Sequence, residues 1–190
     1  MLVEKEVYVQ HGVHIGTSTK NEQMKKFIYR ILPNGLALFK IELIDQRIRI
    51  AANFLSKFNE ILVASKKARK PVELFCSIVG AKPVIGRFPP GMLTNPNYEL
   101  YYEPEVVLVV DPFVDKQAVS EASKARLPIV ALCNTFNSLS LVDLAIPCNN
   151  RGRKSVALVF YLLAREIEKI RGRIRTYADF KYKVEDFLDV

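Results

Sequence analysis

Apolar residues along this 190-residue chain fall into short continuous runs that alternate with stretches of helical period. Ile61–Ala64, Val106–Val110 and Pro128–Cys133 are nearly unbroken apolar runs of strand length, and Leu36–Ile41, Val84–Ile85 and Leu144–Pro147 are weaker ones. The first of the weaker runs follows a turn signal, Pro33–Asn34–Gly35. Strands that are apolar on both faces belong to a parallel sheet covered on both sides. Between them, Ile44, Ile48, Ala51, Ala52, Leu55 and Phe58 repeat at a 3.6-residue period and predict an amphipathic helix over 44–58. Pro71–Val79 predicts a second helix, with proline in a tolerated first-turn position and Gly80 as its stop. A third runs from Asp115, as its cap, to Ala125, and a long fourth from about Ser155 to Arg171. Residues 87–104 carry no period of either kind. Strand–helix–strand spacing with short connections predicts one α/β domain over residues 1–190. Its sheet is doubly wound and mostly parallel, with helices on both faces and right-handed crossovers.

Composition narrows the class without changing the fold. A hydrophobic fraction of 49% and a charged fraction of 25% exclude disordered, collagenous and coiled-coil chains. The longest apolar run, Val156 to Ala164, is about half of the ~20 residues a membrane span needs. The N-terminus is charged within four residues and has no apolar core of a secretory signal. Three widely spaced cysteines, Cys76, Cys133 and Cys148, fit reduced thiols in a cytosol better than a disulfide framework or a zinc cluster.

Charge changes the picture more. The net +8 is unevenly placed: residues 1–95 hold 15 basic and 7 acidic side chains, whereas 96–190 hold 13 of each. Within the second half, 96–148 has 3 basic against 7 acidic, and 149–175 has 8 against 2. An acidic middle flanked by basic blocks suggests a face directed at a polyanion.

Candidate enzyme chemistry is sparse. His11 and His14 are the only histidines; no cysteine or carboxylate lies at metal-site spacing from them, and they read as structural or RNA-contacting. Gly12 and Gly16 read as turn residues. No Gly-x-Gly-x-x-Gly follows the first strand and no Gly-Lys-Ser/Thr occurs. Arg87-Phe-Pro-Pro-Gly91 is a stiff strand-end loop, but its two prolines remove amides that a phosphate loop needs. Asp111 and Asp115 bracket a strand-to-helix turn. Magnesium ligands are one reading of the pair, and a turn residue with a helix N-cap is the simpler one.

The basic clusters are informative because of where they fall. Lys66, Lys67, Arg69 and Lys70 lie just before the second helix, and Arg151, Arg153 and Lys154 just before the last. A helix N-terminus carries positive partial charge, so each exposed cation there is unfavourable by roughly 0.3–1 kcal/mol. An anion such as a phosphate at the helix N-terminus reverses that sign. Both loops leave the carboxyl ends of strands, where open α/β sheets bind ligands. Arg87 leaves a third strand at that same edge. Along the last helix, Arg165, Lys169 and Arg173 recur every four residues, a like-charge stripe that Glu166 and Glu168 partly relieve; a solvated basic face is one reading, and a second phosphate-contacting face is the preferred one.

Four separated segments carry a resemblance. His11–Gly16 (HGVHIG), Gly86–Asn95 (GRFPPGMLTN), Ala131–Thr135 (ALCNT) and Ile146–Asn150 (IPCNN) are followed by a helix ending Ala164-Arg-Glu166 and Arg171-Gly172. In that order, over about residues 7–175, they resemble the ribosomal protein S-two family of the small subunit. The resemblance is closest to its archaeal and eukaryotic branch, which includes the laminin-receptor-like protein SA. It implies a flavodoxin-like doubly wound fold and a cytoplasmic, non-enzymatic role without a cofactor. The implied partners are small-subunit ribosomal RNA and neighbouring ribosomal proteins, with no membrane and no small-molecule substrate. Two departures matter. Bacterial members carry a long helical hairpin after the Thr-Asn motif, where this chain has only Pro96–Glu105. Eukaryotic members carry a long acidic C-terminal extension, where this chain has only Val184–Val190. Partner contacts made through either element in relatives are not carried over.

The expected RNA contacts are Lys66, Lys67, Arg69, Lys70, Arg87, Arg151, Arg153 and Lys154, with Arg165, Lys169 and Arg173 in a second tier. They act on phosphates and position rather than read sequence, with specificity coming from the shape of a folded RNA. Tyr101, Tyr102 and Phe113 are candidates to stack on bases, or else core and lid aromatics. The acidic stretch 96–148 suits a protein partner or solvent. The N-terminal segment, residues 87–104 and the tail after about 175 are expected to be mobile before assembly. The rival from another class is a phosphosugar- or nucleotide-binding α/β enzyme using the same strand-end edge, with Asp111 or His14 in a chemical role.

Overall fold

The computed structural model describes residues 1–188. The chain enters through a short helix, α1 (Lys5–Gln10), and a 3-10 turn over Glu22–Phe27, followed by an antiparallel pair, β1 (Ile28–Ile31) and β2 (Ala37–Phe39). Then come α2 (Ile41–Leu55), β3 (Ile61–Ser65), α3 (Arg69–Val79), β4 (Lys82–Ile85), β5 (Val106–Val109), α4 (Lys116–Lys124), β6 (Ile129–Cys133), β7 (Leu144–Pro147) and α5 (Arg153–Ile170). Strands β3 to β7 form one parallel sheet in the order β4-β3-β5-β6-β7. Counted within the sheet, that is the order 2-1-3-4-5 of a doubly wound fold. From β3 the chain steps outward to β4, and from β5 it steps the opposite way to β6. Right-handed crossovers therefore put α3 and α4 on opposite faces.

The three central strands are buried at every residue, as their unbroken apolar runs require. Their register sets Leu62 beside Val107, and Val109 beside both Ala64 and Ala131. Strand β4 is an edge strand, which is why Pro83 is tolerated in it despite lacking an amide. On one face α5 packs against both α2 and α3. Phe75 of α3 meets Phe160 of α5 edge-on at 5.3 Å. The other face is closed by α4 and by residues 87–104, in which Phe88, Met92 and Leu93 are buried. That irregular stretch is tied down by one carboxylate: buried Glu121 accepts the amides of Gly91 (2.8 Å) and Leu93 (3.1 Å).

Two sequence expectations are corrected. The run Leu36–Ile41 does form a strand, but outside the parallel sheet: β2 pairs with β1 on one side and meets residues 14–17 on the other. Its turn closes as expected, with Gly35 at φ +83° and its amide on the Leu32 carbonyl. Gly16 is not a turn residue either. A Cβ there would lie 2.5 Å from Thr135 Cγ2 and 2.9 Å from the Ala37 carbonyl, so glycine is required by a close approach of backbones.

Helix α5 is buried on nearly its whole circumference, which accounts for its nine-residue apolar run. Its outer side is covered by the C-terminal segment. Phe187 is fully buried there, and Phe180 and Phe187 both meet the Tyr161 ring edge-on.

Candidate nucleic-acid interface

The carboxyl ends of all five parallel strands open onto one edge, and four sequence motifs are brought together along it. Asn149, after β7, donates its backbone amide to the Val13 carbonyl (3.0 Å) and its side-chain amide to the Gly12 carbonyl (3.3 Å). The same side chain accepts the amides of Arg151 and Gly152, both at 3.2 Å, and so shapes the turn into α5. Thr135, after β6, accepts the Thr17 amide (3.0 Å) and donates to the Thr19 carbonyl (2.9 Å). The motif residues are thus largely the fasteners of this loop cluster, an explanation their spacing alone did not supply.

Into this edge opens a cleft of about 590 Å³, lined by Ser65, Lys67 and Pro71, by Val110, Asp111 and Asp115, and by Asn150, Arg151 and Arg153 among others. It lies between the ends of β3 and β5. This is the point where the winding of the sheet reverses and where folds of this order bind ligands. Lys66, Lys67, Arg69, Lys70, Arg87, Arg151, Arg153 and Lys154 are all exposed, and of these Lys67, Arg151 and Arg153 line the cleft.

The two helix N-termini at the cleft are not equivalent. In α5 the cap is Gly152, which has no side chain to offer the first-turn amides, and no acidic residue stands in that turn. Those amides have no intrahelical acceptor, and the buried hydroxyl of Ser155 beside them also lacks a partner. In α3 the anion capacity is smaller. The Ala68 amide goes to Ser65 Oγ (3.0 Å), the Arg69 amide to the Lys67 carbonyl (3.1 Å), and Pro71 has none. Arg69 is also paired with Glu73 at 2.9 Å.

The floor of the cleft carries two carboxyl groups. Asp111 accepts the Phe113 amide (3.0 Å) and the Asn137 side-chain amide (2.9 Å), which makes it the expected turn residue. Asp115 does not cap α4 with its side chain. Burial pushes its carboxyl up to about 7; the Asp111 carboxylate reinforces the shift, while the Asp111 and Lys66 amides and the Lys66 charge oppose it. The folded carboxyl keeps its proton up to about pH 7, whereas the unfolded one loses it near 4. Stability is therefore present at low pH and lost as pH rises through that window. Asp115→Asn removes this loss: it raises stability by up to about 4 kcal/mol at pH 8 and by about 1 kcal/mol or less at pH 4.5. Urea unfolding at the two pH values measures this, and equal gains at both would contradict it.

The stripe on α5 is corrected. Arg165 is 6% exposed. It donates to the Leu2 carbonyl at 2.8 Å, and its guanidinium lies 4.4 Å over the Tyr177 ring. It therefore clamps the N-terminal segment, whose Leu2 amide and Tyr8 hydroxyl both reach the buried Asp45 (2.5 and 3.0 Å). The every-fourth spacing was misleading because the surrounding residues, 156–168, are almost all buried. Lys169 and Arg173 are exposed, but they stand at the C-terminal end of α5, about 25 Å from the cleft by helix rise. Arg173 is paired there with Glu168 at 2.9 Å. They belong to the opposite edge of the sheet.

The histidines carry no metal cluster: among the described residues no group of three or more potential ligands occurs. His11 Nδ1 lies 2.8 Å from the Val7 carbonyl, and burial lowers the pKa of His14. All three cysteines are free and buried; burial pushes the Cys76 thiol up to about 12 and raises those of Cys133 and Cys148 as well.

Residues 97–169 match the family described as Ribosomal protein S2. A relative from Ignicoccus hospitalis, named small ribosomal subunit protein uS2, is 51% identical over 179 residues, 92% of this chain and 84% of its own. One of the same name from Thermoplasma acidophilum is 44% identical over 191 residues, covering 98% of this chain and 96% of its own. The chain belongs to the ribosomal protein S2 family. Its relatives' likeness extends over nearly its whole length, so the family identity covers the N-terminal hairpin as well as the sheet. For an S2-family protein the corresponding expectation from the motifs is met, and no support for the enzyme reading accompanies it. Among the described residues, no helix is long and apolar enough to cross a membrane.

Proposed function

We infer that the chain is a structural constituent of the small ribosomal subunit, in the cytoplasm. It meets ribosomal RNA along the carboxyl edge of its sheet and neighbouring proteins elsewhere. The observation that carries this reading is the open N-terminus of α5 ringed by Arg151, Arg153 and Lys154, with Lys66, Lys67 and Arg87 on the adjoining loops and Lys70 in the first turn of α3. Cations that destabilise an isolated helix start become favourable once phosphates lie against them. Arg69 contributes less, since Glu73 already neutralises it. The acidic stretch is thinner on the surface than its count suggests, because Asp111, Asp115 and Glu121 are buried. What remains exposed, Glu99, Glu103 and Glu105 before β5 and Asp143 before β7, lies at the opposite edge, away from phosphate and suited to a protein neighbour.

The test is the salt dependence of binding between the intact chain and small-subunit ribosomal RNA. Phosphate contacts release counterions, so affinity falls by ~10³-fold or more between 50 and 200 mM salt if six or more cations engage. Affinity that stays flat over that range would overturn the reading.

A further inference from the structure

Two depressions meet on Arg151. One is the cleft at the switch point; the other, about 480 Å³, is lined by Gly16, Thr17, Thr19, Phe113 and Phe136, with Arg151 between the two. Both are of a size that takes ligand groups. Phe113 heads the loop leaving β5 and is 69% exposed. Its ring stands edge-on to Phe136 at 6.1 Å, and the Arg151 guanidinium lies 4.2 Å over the Phe136 ring. A solvent-facing aromatic braced beside a permanent cation has the chemistry of a base-stacking platform next to a phosphate.

The cleft itself changes chemistry with depth. Lys67, Arg151, Arg153 and the open α5 amides stand at its rim, while its floor presents the Asp111 carboxylate as an acceptor, beside the Asp115 carboxyl. Asn150 in the wall holds an unpaired acceptor beneath the surface: its side chain is more than nine-tenths buried, its amide N–H groups go to Leu132 and Asn137, and its Oδ1 has no donor. A phosphate suits the rim and not the floor; hydroxyl donors suit the floor. An unstacked ribonucleotide supplies an anion, hydroxyl donors and a π-face in one residue. An A-form duplex offers mainly its phosphates and 2′-hydroxyls, because its bases are stacked and paired inside.

We propose that this double depression holds one extruded, single-stranded nucleotide of the bound RNA. Its base lies on Phe113, its phosphate sits at the α5 N-terminus between Arg151, Arg153 and Lys67, and its ribose hydroxyls point to the Asp111 carboxylate. The proposal rests on the RNA reading above and sharpens it from backbone contact to a nucleotide pocket. A nucleotide within a strand fits better than a free one. Lys66, Lys154 and Arg87 lie on the same edge outside the lining, placed for the phosphates on either side.

The chain contains no tryptophan, so Phe113→Trp installs a single fluorescent reporter on an exposed position. The intact chain is titrated with single-stranded hexauridylate, its deoxy counterpart, a blunt RNA duplex and uridine monophosphate. Hexauridylate quenches the Phe113→Trp reporter and the duplex does not. Phe113→Ala weakens hexauridylate binding by roughly 5- to 100-fold and leaves duplex affinity unchanged. The deoxy strand binds roughly threefold to tenfold more weakly than the ribo strand, for want of its hydroxyl donors. Unchanged hexauridylate affinity in Phe113→Ala would overturn the proposal and return Phe113 to protein docking. Equal binding of the ribo and deoxy strands would overturn it too, as would quenching by the mononucleotide at the same concentration as the strand. Failure of the underlying RNA reading looks different, since duplex and strand binding would then both be insensitive to salt.

Discussion

Arg171→Met lowers the stability of the fold by about 3 kcal/mol, or roughly 6–12 °C in Tm for a domain of this size. Arg171 follows the last turn of α5 and donates to three backbone carbonyls: Val79 and Phe58 at 2.6 Å each, and Ser56 at 3.4 Å. Those carbonyls belong to the loop that joins α2 to β3 and to the end of α3. One guanidinium therefore fastens three helices at the amino edge of the sheet. Hydrogen bonds from a charged donor contribute about 1.5–3 kcal/mol each. The partial exposure of the group and the loss of water contacts reduce their sum. Methionine matches the stem of the side chain but strands the carbonyls. Arg171→Lys recovers only part of the loss, because one ammonium cannot reproduce a planar fork that reaches two loops. Urea unfolding measures both variants. A loss below 1 kcal/mol for Arg171→Met would show that the fork is dispensable.

The triple variant Arg151→Gln, Arg153→Gln, Lys154→Gln weakens binding to small-subunit ribosomal RNA by at least ~100-fold at 50 mM salt. It also reduces the slope of log affinity against log salt by about 2–3, one counterion for each lost phosphate contact. The effect is large because these cations surround the open amides of α5, where charge and hydrogen bonding act on the same phosphate. Lys66→Gln with Lys67→Gln gives a smaller loss, since the α3 amides are already engaged by Ser65 and Lys67. Lys169→Gln with Arg173→Gln changes the affinity less than about threefold, because both stand at the far end of α5. Filter binding across a salt series separates the three. Equal losses in all of them would mean that net charge, rather than placement, sets the affinity.

How much of this was legible in the sequence depends on which force dominated locally. Ile61–Ser65, Val106–Val109 and Ile129–Cys133 are buried on both faces, so their composition alone placed them in a covered parallel sheet. Strand β1 was missed because three of its four residues, Tyr29, Arg30 and Ile31, are exposed and show no alternation. Its partner β2 has a strand pattern, but a strand pattern does not say which sheet it joins. Arg165 failed for a related reason. Charge periodicity marks a solvated stripe only on a helix with a solvated face, and the apolar run beginning at Val156 is the signal that α5 has little of one. The basic clusters at 66–70 and 151–154 were found because cations at a helix start contradict local electrostatics, an anomaly visible in one dimension. That only the second cluster faces open amides depends on the Ser65 hydroxyl, and that hydrogen bond has no sequence signature.

RNA lying along the carboxyl edge of the sheet is tested by a map of ultraviolet crosslinks between this protein and ribosomal RNA inside intact small subunits. The expected crosslinks concentrate in residues 66–70, 87 and 151–154, with few at Lys169 and Arg173. Crosslinks that avoid 66–70 and 151–154 would contradict it.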